Sequence, residues 1–343
     1  MTDSPQLLPP ETVARARSAA EKILDGLDQT LLGQEELNRL VVVACLARGH
    51  VLLEGLPGLG KTELVKALAR LLGIEFKRLQ FTPDLLPGDV TGGHVLEESE
   101  AGGRRMVFHP GPVFANVLLA DEINRASPKT QSALLEAMQE KCVTVVGETR
   151  ELPRPFYVLA TQNPIELEGT YPLPEAQLDR FLFKLDVSRV GEGVLERILL
   201  ERRGGAPPEL EPATDGEGLD ELFEAVGGVT LPRAVASWIA RLVDATHPEN
   251  PSAPSEVKEY VRYGASPRAA IAVGEASRAH ALLAGRPNVG FDDVRAVATP
   301  AIAHRIALDY RARLDGVSGS DVMASVLGEV GEMERHLPEG VSE

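Results

Sequence analysis

A run of eight residues in the first quarter of the chain has the composition of a phosphate-binding loop. Gly55–Thr62 reads G-L-P-G-L-G-K-T and matches the pattern G-x-x-x-x-G-K-[ST] in full. Gly55, Gly58 and Gly60 allow backbone conformations closed to other residues, so the peptide N–H groups can point at an anion. An apolar run precedes the loop and a helical pattern follows it, which adds the positive end of a helix dipole. This context predicts a site for nucleotide phosphates.

Two side chains of the loop have the chemistry that a magnesium nucleotide requires. Lys61 supplies a compact cation for the β- and γ-phosphate oxygens, and Thr62 supplies a hydroxyl for Mg²⁺. A glycine turn with an incidental lysine is the alternative, which the complete pattern disfavours. The residues of the loop that we predict to bind the nucleotide are Gly55, Pro57, Gly58, Leu59, Gly60, Lys61 and Thr62.

A pair of carboxylates follows an apolar run further along the chain. Val117–Ala120 predicts a buried strand, and Asp121 and Glu122 come directly after it. Strand carboxyl ends form the ligand-binding edge of an α/β sheet, where Asp121 is suited to hold Mg²⁺ through water. Glu122 is suited to orient the attacking water or to accept its proton. A solvated helix cap is the alternative for this pair. The complete phosphate loop upstream favours a single shared site.

Two residues near later strands are candidates for the same chemistry. Asn163 follows the strand predicted at Tyr157–Ala160, where its amide could bond the γ-phosphate and the lytic water; a turn asparagine before proline is the alternative. Arg180 either pairs with Asp179 or Glu175 or acts as an arginine finger that neutralises charge on the γ-phosphate. A finger placed across the sheet from the phosphate loop would serve a neighbouring subunit's nucleotide more easily than its own.

A third candidate lies at the start of a predicted helix. Ser266 is predicted as the N-cap and Pro267 as the first helical residue, which puts Arg268 in the first turn. The helix dipole disfavours a cation in that position. An arginine at the positive end of a helix dipole indicates an anionic partner that offsets the repulsion.

The elements that must position these residues alternate between strand and helix in the first half of the chain. This alternation predicts an α/β fold, a parallel sheet covered by helices on both faces. Ser127 and Pro128 predict the start of one of these helices. The second half is helical in period, so we place a boundary near Val190. Residues 1–190 are the predicted nucleotide-binding domain with hairpin insertions, and residues 191–343 the predicted helical lid. The helices predicted in the lid are Asp220–Val226, Pro232–Ala245, Pro267–Leu283, Asp292–Ala307 and, after an N-cap at Ser320, Asp321–Met333.

Two hairpins are predicted to interrupt the first half. Hairpins between core elements must project outward, and spacing alone is equally compatible with surface decoration. The predicted arms and turns are Val95–Glu97 and Met106–His109 around Ala101–Gly103, and Val143–Val146 and Thr149–Leu152 around Gly147–Glu148.

Composition narrows the class of protein. The 343 residues carry 35 basic and 51 acidic side chains, a net charge of −16, with 43% hydrophobic residues. These values exclude a disordered, collagen-like or disulfide-stapled chain. The charge and the 15 aromatic residues (9 Phe, 5 Tyr, 1 Trp) disfavour a nucleic-acid partner, a helicase included. We expect Cys45 and Cys142 to be buried thiols. The spacing of the histidines does not match that of metal ligands. The apolar run Leu40–Ala47 is too short to span a bilayer. With no secretory signal in view, we expect a cytoplasmic protein.

Six strings of the sequence resemble the MoxR family of AAA+ ATPases, and the resemblance runs from about Gly33 to Leu308. The strings are Gly55–Thr62, Asp121–Ala126, Gln131–Met138, Ala160–Pro164, Pro174–Phe181 and Gly264–Arg268. The resemblance implies an AAA+ P-loop NTPase core followed by an all-α lid, assembled as a homo-oligomer, usually a hexameric ring.

The resemblance also implies a role for each candidate residue. Lys61 and Thr62 would belong to the Walker A motif, Asp121 and Glu122 to Walker B, Asn163 to sensor 1, Arg180 to the finger and Arg268 to sensor 2, while Gly33 and Gln34 would lie beside the adenine. The two hairpins would face the pore of the ring. MoxR proteins are described as chaperone-like, often with a partner that carries a von Willebrand factor A domain and its metal site.

These observations together predict an ATPase that binds ATP and Mg²⁺ and remodels or assembles partner proteins. Two alternatives remain open at this stage. One is a motor subunit like that of magnesium chelatase, which inserts a metal into a porphyrin. The other is a nucleotide-gated scaffold with little turnover, against which Glu122 argues because a switch without hydrolysis does not need a base.

Overall fold

The computed structural model of the chain describes residues 7–98, 104–164, 169–202 and 208–333. These residues cluster into two compact units, one formed by Arg15–Glu224 and the other by residues 7–14 with 225–333. Compactness alone does not define where a nucleotide-binding domain ends, so the boundary near Val190 stays a prediction. The turn predicted at Ala101–Gly103 lies outside the described residues.

Helices and strands alternate through the first unit, and helices dominate the second. The helices are α1 (Pro10–Thr30), α2 (Glu35–Leu46), α3 (Lys61–Leu71), α4 (Pro87–Thr91), α5 (Pro128–Glu140), α6 (Glu175–Leu178), α7 (Glu192–Glu201), α8 (Gly216–Gly228), α9 (Arg233–Asp244), α10 (Ser255–Tyr260), α11 (Pro267–Leu283), α12 (Phe291–Ile302), α13 (Tyr310–Asp315) and α14 (Gly319–Glu329). The strands are β1 (Val51–Glu54), β2 (Phe76–Gln80), β3 (Gly92–Glu98), β4 (Arg104–Pro110), β5 (Val117–Asp121), β6 (Cys142–Val145), β7 (Glu148–Glu151), β8 (Tyr157–Gln162), β9 (Phe183–Asp186), β10 (Val261–Tyr263) and β11 (Ala307–Leu308). Among the described helices, none combines the length and the apolar character that crossing a bilayer needs.

The main sheet is formed, within the described residues, by five parallel strands in the order β2-β5-β8-β1-β9. Strand β8 lies between β5 and β1, and its Thr161 is in register with Leu53 of β1. Strands β1, β5 and β8 bury every residue except the last, as strands covered on both faces do. Because the strands are parallel, the residues that follow β1, β5 and β8 meet at one edge.

Helices pack against this sheet through apolar side chains. Leu134, Leu135 and Met138 of α5 lie in one core cluster with Leu52 of β1 and Leu118 of β5. All five side chains are almost completely buried. The prediction of an α/β core with a parallel sheet flanked by helices is confirmed.

The two hairpins are present as separate antiparallel sheets, β3 with β4 and β6 with β7. The second turn lies at Val146–Gly147, whereas the prediction put it at Gly147–Glu148. Both turn residues have positive φ, 51° at Val146 and 80° at Gly147, because a two-residue hairpin turn that matches the strand twist needs left-handed backbone at both positions.

The second unit is built mainly of helices around Trp238. This indole is fully buried, packs edge-on against Phe291 with 5.5 Å between ring centroids, and donates from Nε1 to the carbonyl of Val330 at 2.9 Å. An antiparallel ribbon of β10 and β11, which was not predicted, joins the helices.

Helix starts were predicted better than helix ends. The N-caps at Ser127 of α5 and Ser266 of α11 are confirmed, since each side chain accepts a backbone N–H of its helix. The helix predicted to reach Ala307 ends at Ile302, because Ala307 pairs with β10. The last helix has its N-cap at Ser318 rather than Ser320, because Ser318 forms a reciprocal capping box with the Asp321 carboxylate; this helix also ends at Glu329, before the predicted end.

The two cysteines differ in burial. Both are free thiols. Cys45 is buried as predicted, and burial raises the pKa of its thiol to about 12. Cys142 is only partly buried, so that part of the prediction is wrong: in β6 it is the next residue, Val143, that enters the core cluster, and successive side chains of a strand point to opposite faces.

Candidate functional site

The phosphate loop connects β1 to α3, as its pattern predicts. Gly58 and Gly60 have φ of 82° and 83°, and Gly60 is the N-cap of α3. Gly55 does not have a positive φ, so the expected reason for a glycine is wrong at this position. A Cβ on Gly55 would lie 2.8 Å from the carbonyl oxygen of Val187, so the requirement there is space beside the end of β9.

The ammonium group of Lys61 is hydrogen-bonded to the loop that carries it. Its Nζ donates to the carbonyl of Gly55 at 2.6 Å. Burial lowers the pKa of Lys61, and the carboxylates of Asp121, Glu122 and Glu54 act in the opposite direction. The ends of β1 and β5 therefore place their acidic side chains near the lysine of the loop.

Asp121 is the last residue of β5, and both of its carboxylate oxygens are hydrogen-bonded. Oδ1 accepts from the hydroxyl of Thr161 at 2.6 Å, and Oδ2 accepts from Arg78 at 2.7 Å (Nη2) and 3.1 Å (Nε). A carboxylate has about four acceptor positions, so room remains for water. Mg²⁺ commonly keeps several waters and takes one or two protein ligands with the phosphates. The carboxylate of Asp121 and the hydroxyl of Thr62 are oxygen donors of that kind.

Glu122 follows β5 with a left-handed backbone, φ 56° and ψ 49°. Its N–H donates to the hydroxyl oxygen of Thr161 at 2.8 Å, and its carboxylate accepts from Nη1 of Arg125 at 3.0 Å. Left-handed backbone is costly for a residue with a side chain, and such strain concentrates at functional sites. The hydroxyl of Thr161 thus fixes both the carboxylate of Asp121 and the backbone of Glu122.

The sequence did not reveal Thr161 or Arg78. Thr161 is 1% exposed and is the second-last residue of β8, before Gln162, so a hydroxyl near the end of a largely apolar strand was the available signal. Arg78 lies on β2, the edge strand beside β5, and its pairing with Asp121 depends on the strand order. Asn163 comes one residue after β8, at the same sheet edge, and is 7% exposed.

Gly33 and Gln34 lie against the segment that follows β9. The amide of Gln34 donates to the carbonyl of Ser188 at 2.6 Å, and a Cβ on Gly33 would lie 2.7 Å from a methyl group of Val194. A Cβ on Gly60 would lie 2.5 Å from a methyl group of Leu31. The structure therefore brings the segment around Gly33 next to the phosphate loop.

Arg180 and Arg268 make hydrogen bonds to residues outside the phosphate loop and the end of β5. Arg180 follows α6, and its Nη1 donates to the carbonyl of Leu135 in α5. Arg268 lies in the first turn of α11, where its N–H donates to the hydroxyl of Ser266 at 3.2 Å and its side chain is exposed. Arg268 belongs to the second compact unit, while the other candidates belong to the first.

Comparison with known proteins identifies the class. The profile of the ATPase family associated with various cellular activities (AAA) matches residues 50–183, and that of the AAA lid domain matches residues 254–326. The chain is therefore an AAA-type ATPase-family protein with a core and a lid.

Individual relatives narrow this assignment. The YeaC protein of Bacillus subtilis is 43% identical over 310 residues, which cover 90% of this chain and 93% of YeaC. Chaperone MoxR1 of Mycobacterium tuberculosis is 42% identical over 320 residues, covering 93% and 84% of the two chains. A solved structure from Cytophaga hutchinsonii, assigned to an ATPase, superposes with a TM-score of 0.86 at 36% identity and covers 94% of this chain and 97% of the other. The chain belongs to the MoxR family of AAA+ ATPases.

Proposed function

We propose that the protein binds ATP with Mg²⁺ at the carboxyl edge of the main sheet and hydrolyses it. The observation that carries this proposal is the placement of Lys61 and the two acids: Lys61 lies in the glycine loop after β1, and Asp121 and Glu122 lie at the end of β5 in the same parallel sheet. A phosphate-binding cation and two acids of hydrolytic chemistry therefore share one edge. Family membership supports the same reaction.

Each residue of this edge has a proposed role. Peptide N–H groups of Gly55–Thr62, including those of Gly58 and Leu59, would cradle the phosphates, with Lys61 bound to their oxygens; Pro57, which has no N–H, would shape the loop before them. Thr62 and Asp121 would hold Mg²⁺, directly and through water respectively. The metal, when bound, neutralises charge on the phosphate oxygens.

Hydrolysis would be carried out by Glu122 and Asn163. The carboxylate of Glu122 orients the attacking water and accepts its proton, and the amide of Asn163 bonds the γ-phosphate and that water. In the described structure Arg125 donates to the same carboxylate. That contact is made by Oε2 of Glu122, and we propose Oε1 as the oxygen that receives the proton.

The remaining candidates would complete the nucleotide site at its borders. Gly33 and Gln34 are proposed to lie beside the adenine, since their segment contacts the phosphate loop. Arg180 is proposed as an arginine finger that acts on a neighbouring subunit's nucleotide, and Arg268 as a lid residue that binds nucleotide phosphates in its own or a neighbouring subunit. The role of Arg180 requires a homo-oligomer, for which we propose a hexameric ring.

The client is proposed to be another protein. MoxR1 is named a chaperone, which supports a remodelling or assembly role for this chain. The proposed partner class is a protein with a von Willebrand factor A domain, and no nucleic-acid partner is proposed because the net charge is −16.

Steady-state hydrolysis of Mg-ATP by the wild-type chain, Lys61→Ala and Glu122→Gln tests the proposal. We expect Lys61→Ala to lose nucleotide binding and Glu122→Gln to bind ATP while turnover falls by about 10² or more. Undiminished affinity and turnover in Lys61→Ala would contradict the proposal. Equal, near-zero turnover in wild type and Glu122→Gln, with tight ATP binding, would favour a nucleotide-gated scaffold.

A further inference from the structure

One buried glutamine joins two segments of the site that are distant in sequence. Gln131 is the fourth residue of α5, at the end of its first turn, and is 0% exposed. Its Nε2 donates to the carbonyl of Ile123 at 3.1 Å and to the carbonyl of Tyr171 at 2.9 Å. Both donor hydrogens of the amide are therefore used between backbone groups of other segments.

The first of these segments begins at the proposed base. Ile123 follows Glu122 directly and opens the short helical turn after β5. The N–H of Tyr171 also donates to the carbonyl of Asn124 in that turn, at 2.7 Å. The turn after Glu122 and the segment that contains Tyr171 are thus joined twice, once through their backbones and once through Gln131.

The second segment leads to the proposed arginine finger. Tyr171 precedes α6, and Arg180 follows α6. Arg180 in turn donates to the carbonyl of Leu135, which lies one helical turn after Gln131 on α5. Residues 131–135 of α5, about one helical turn, therefore bind both the turn that follows Glu122 and the side chain of Arg180.

We propose that Gln131 is a positioning residue for ATP hydrolysis: through its two donated bonds it holds the turn that carries Glu122 and the segment that leads to Arg180 in one arrangement. This inference rests on the proposed function. Displacement of a reacting group by about 1 Å can cost roughly 10²-fold in rate, so an amide that sets two backbone segments has consequences for turnover. The two bonds that the Gln131 amide donates go to residues outside the phosphate loop, so we expect nucleotide affinity to be independent of this amide.

The test compares Gln131→Met and Gln131→Leu with wild type in the full chain. Both side chains are of similar size to glutamine and neither can donate a hydrogen bond. The matched control is Gln139→Met in the same helix, where the amide is exposed and donates to Glu140. The measurements are kcat and KM for Mg-ATP, the Kd of a non-hydrolysable ATP analogue, and the melting temperature.

We expect kcat of both Gln131 variants to fall by about tenfold to 100-fold, with KM and Kd changed by less than about threefold. Gln139→Met should match wild type in every measurement. A folded Gln131 variant with wild-type kcat would overturn the inference. So would a parallel loss of kcat, nucleotide affinity and melting temperature in both variants, because it would make the role structural only. A wild-type chain without turnover would instead contradict the proposed function.

Discussion

A single buried hydroxyl organises the two acids of the proposed site. Thr161 donates to Oδ1 of Asp121 and accepts from the N–H of Glu122, so its loss removes one bond from the carboxylate and the side-chain acceptor of that N–H. Thr161→Val keeps the shape and removes both bonds. We expect its kcat for Mg-ATP to fall by about tenfold to 100-fold, the equivalent of roughly 1–3 kcal/mol, and Thr161→Ser to stay near wild type. A Thr161→Val enzyme with unchanged kcat would show that the hydroxyl does not position the acids.

His50 predicts how stability depends on pH. Its Nδ1 accepts from the N–H of Val158 at 2.9 Å and its Nε2 donates to the carbonyl of Met138 at 3.3 Å, so the buried ring is neutral. Burial lowers its pKa from 6.5 to about 4. The unfolded chain therefore binds this proton at a higher pH than the folded one. The contribution of the neutral ring is fully present above pH 6.5 and is lost as the pH falls through the range from 6.5 to 4.

Urea unfolding at pH 7 and pH 5 measures this effect. The linkage at His50 alone should lower the unfolding free energy by about 2 kcal/mol between the two pH values. His50→Gln offers an acceptor and a donor without titrating, so the difference between pH 7 and pH 5 should shrink by that amount. The prediction fails if the variant and wild type lose the same free energy.

For single residues, the sequence predicted backbone conformation in the phosphate loop better than it predicted contacts with distant segments. The loop pattern correctly placed Gly58 and Gly60 in left-handed backbone, but Gly55 is a glycine because Val187 lies beside it. That contact comes from the residue that follows β9, far along the chain, and no local pattern encodes it. Arg78 was missed for the same reason, since only the strand order brings it to Asp121.

The turn of the second hairpin, between β6 and β7, holds Val146 in an unfavourable backbone conformation. Val146 has a φ of 51° and its side chain is 84% exposed, so no burial offsets the cost of a left-handed β-branched residue. Val146→Asn should raise the unfolding free energy by about 1 kcal/mol, because asparagine tolerates this conformation. Urea unfolding is the measurement. The control is Thr149→Asn, an exposed position in extended backbone, which should not stabilise; a less stable Val146→Asn would contradict the argument.

Elements were predictable wherever a pattern and a stop signal coincided. Helix α11 was predicted to the residue because its serine cap and proline mark the start and its period runs unbroken. The end of α12 was predicted wrongly because Ala307 pairs with β10. Hydrophobic periodicity reports only local structure and gives no sign of this pairing with a distant segment. The turn at Val146 was missed because valine is a residue that turn statistics place elsewhere.

For the whole molecule, the proposed finger makes turnover depend on assembly. Arg180→Ala should bind ATP as wild type does, while its turnover falls by roughly 10³ to 10⁵. Mixing the variant into wild type should reduce activity more than in proportion, because each variant subunit would silence a neighbour's site. Activity is measured as a function of mixing ratio.

The control for the mixing experiment is Arg17→Ala, which removes an exposed arginine that pairs with Glu21 on α1. Doping with this variant should leave activity unchanged. Strictly proportional loss with Arg180→Ala would show that the residue serves its own subunit and would argue against a site shared between subunits.

The side chain at position 61 has a partner within its own loop, the carbonyl oxygen of Gly55 at 2.6 Å. Fixing a free lysine costs roughly 1.5–2 kcal/mol of rotamer entropy, and here most of that ordering belongs to the folded state itself. An incoming triphosphate would then exchange one acceptor for another at a nitrogen that is already in place. The contribution of Lys61 to nucleotide affinity would thus reflect the difference between a carbonyl and a phosphate oxygen as acceptors. Little side-chain entropy of Lys61 would be lost on binding.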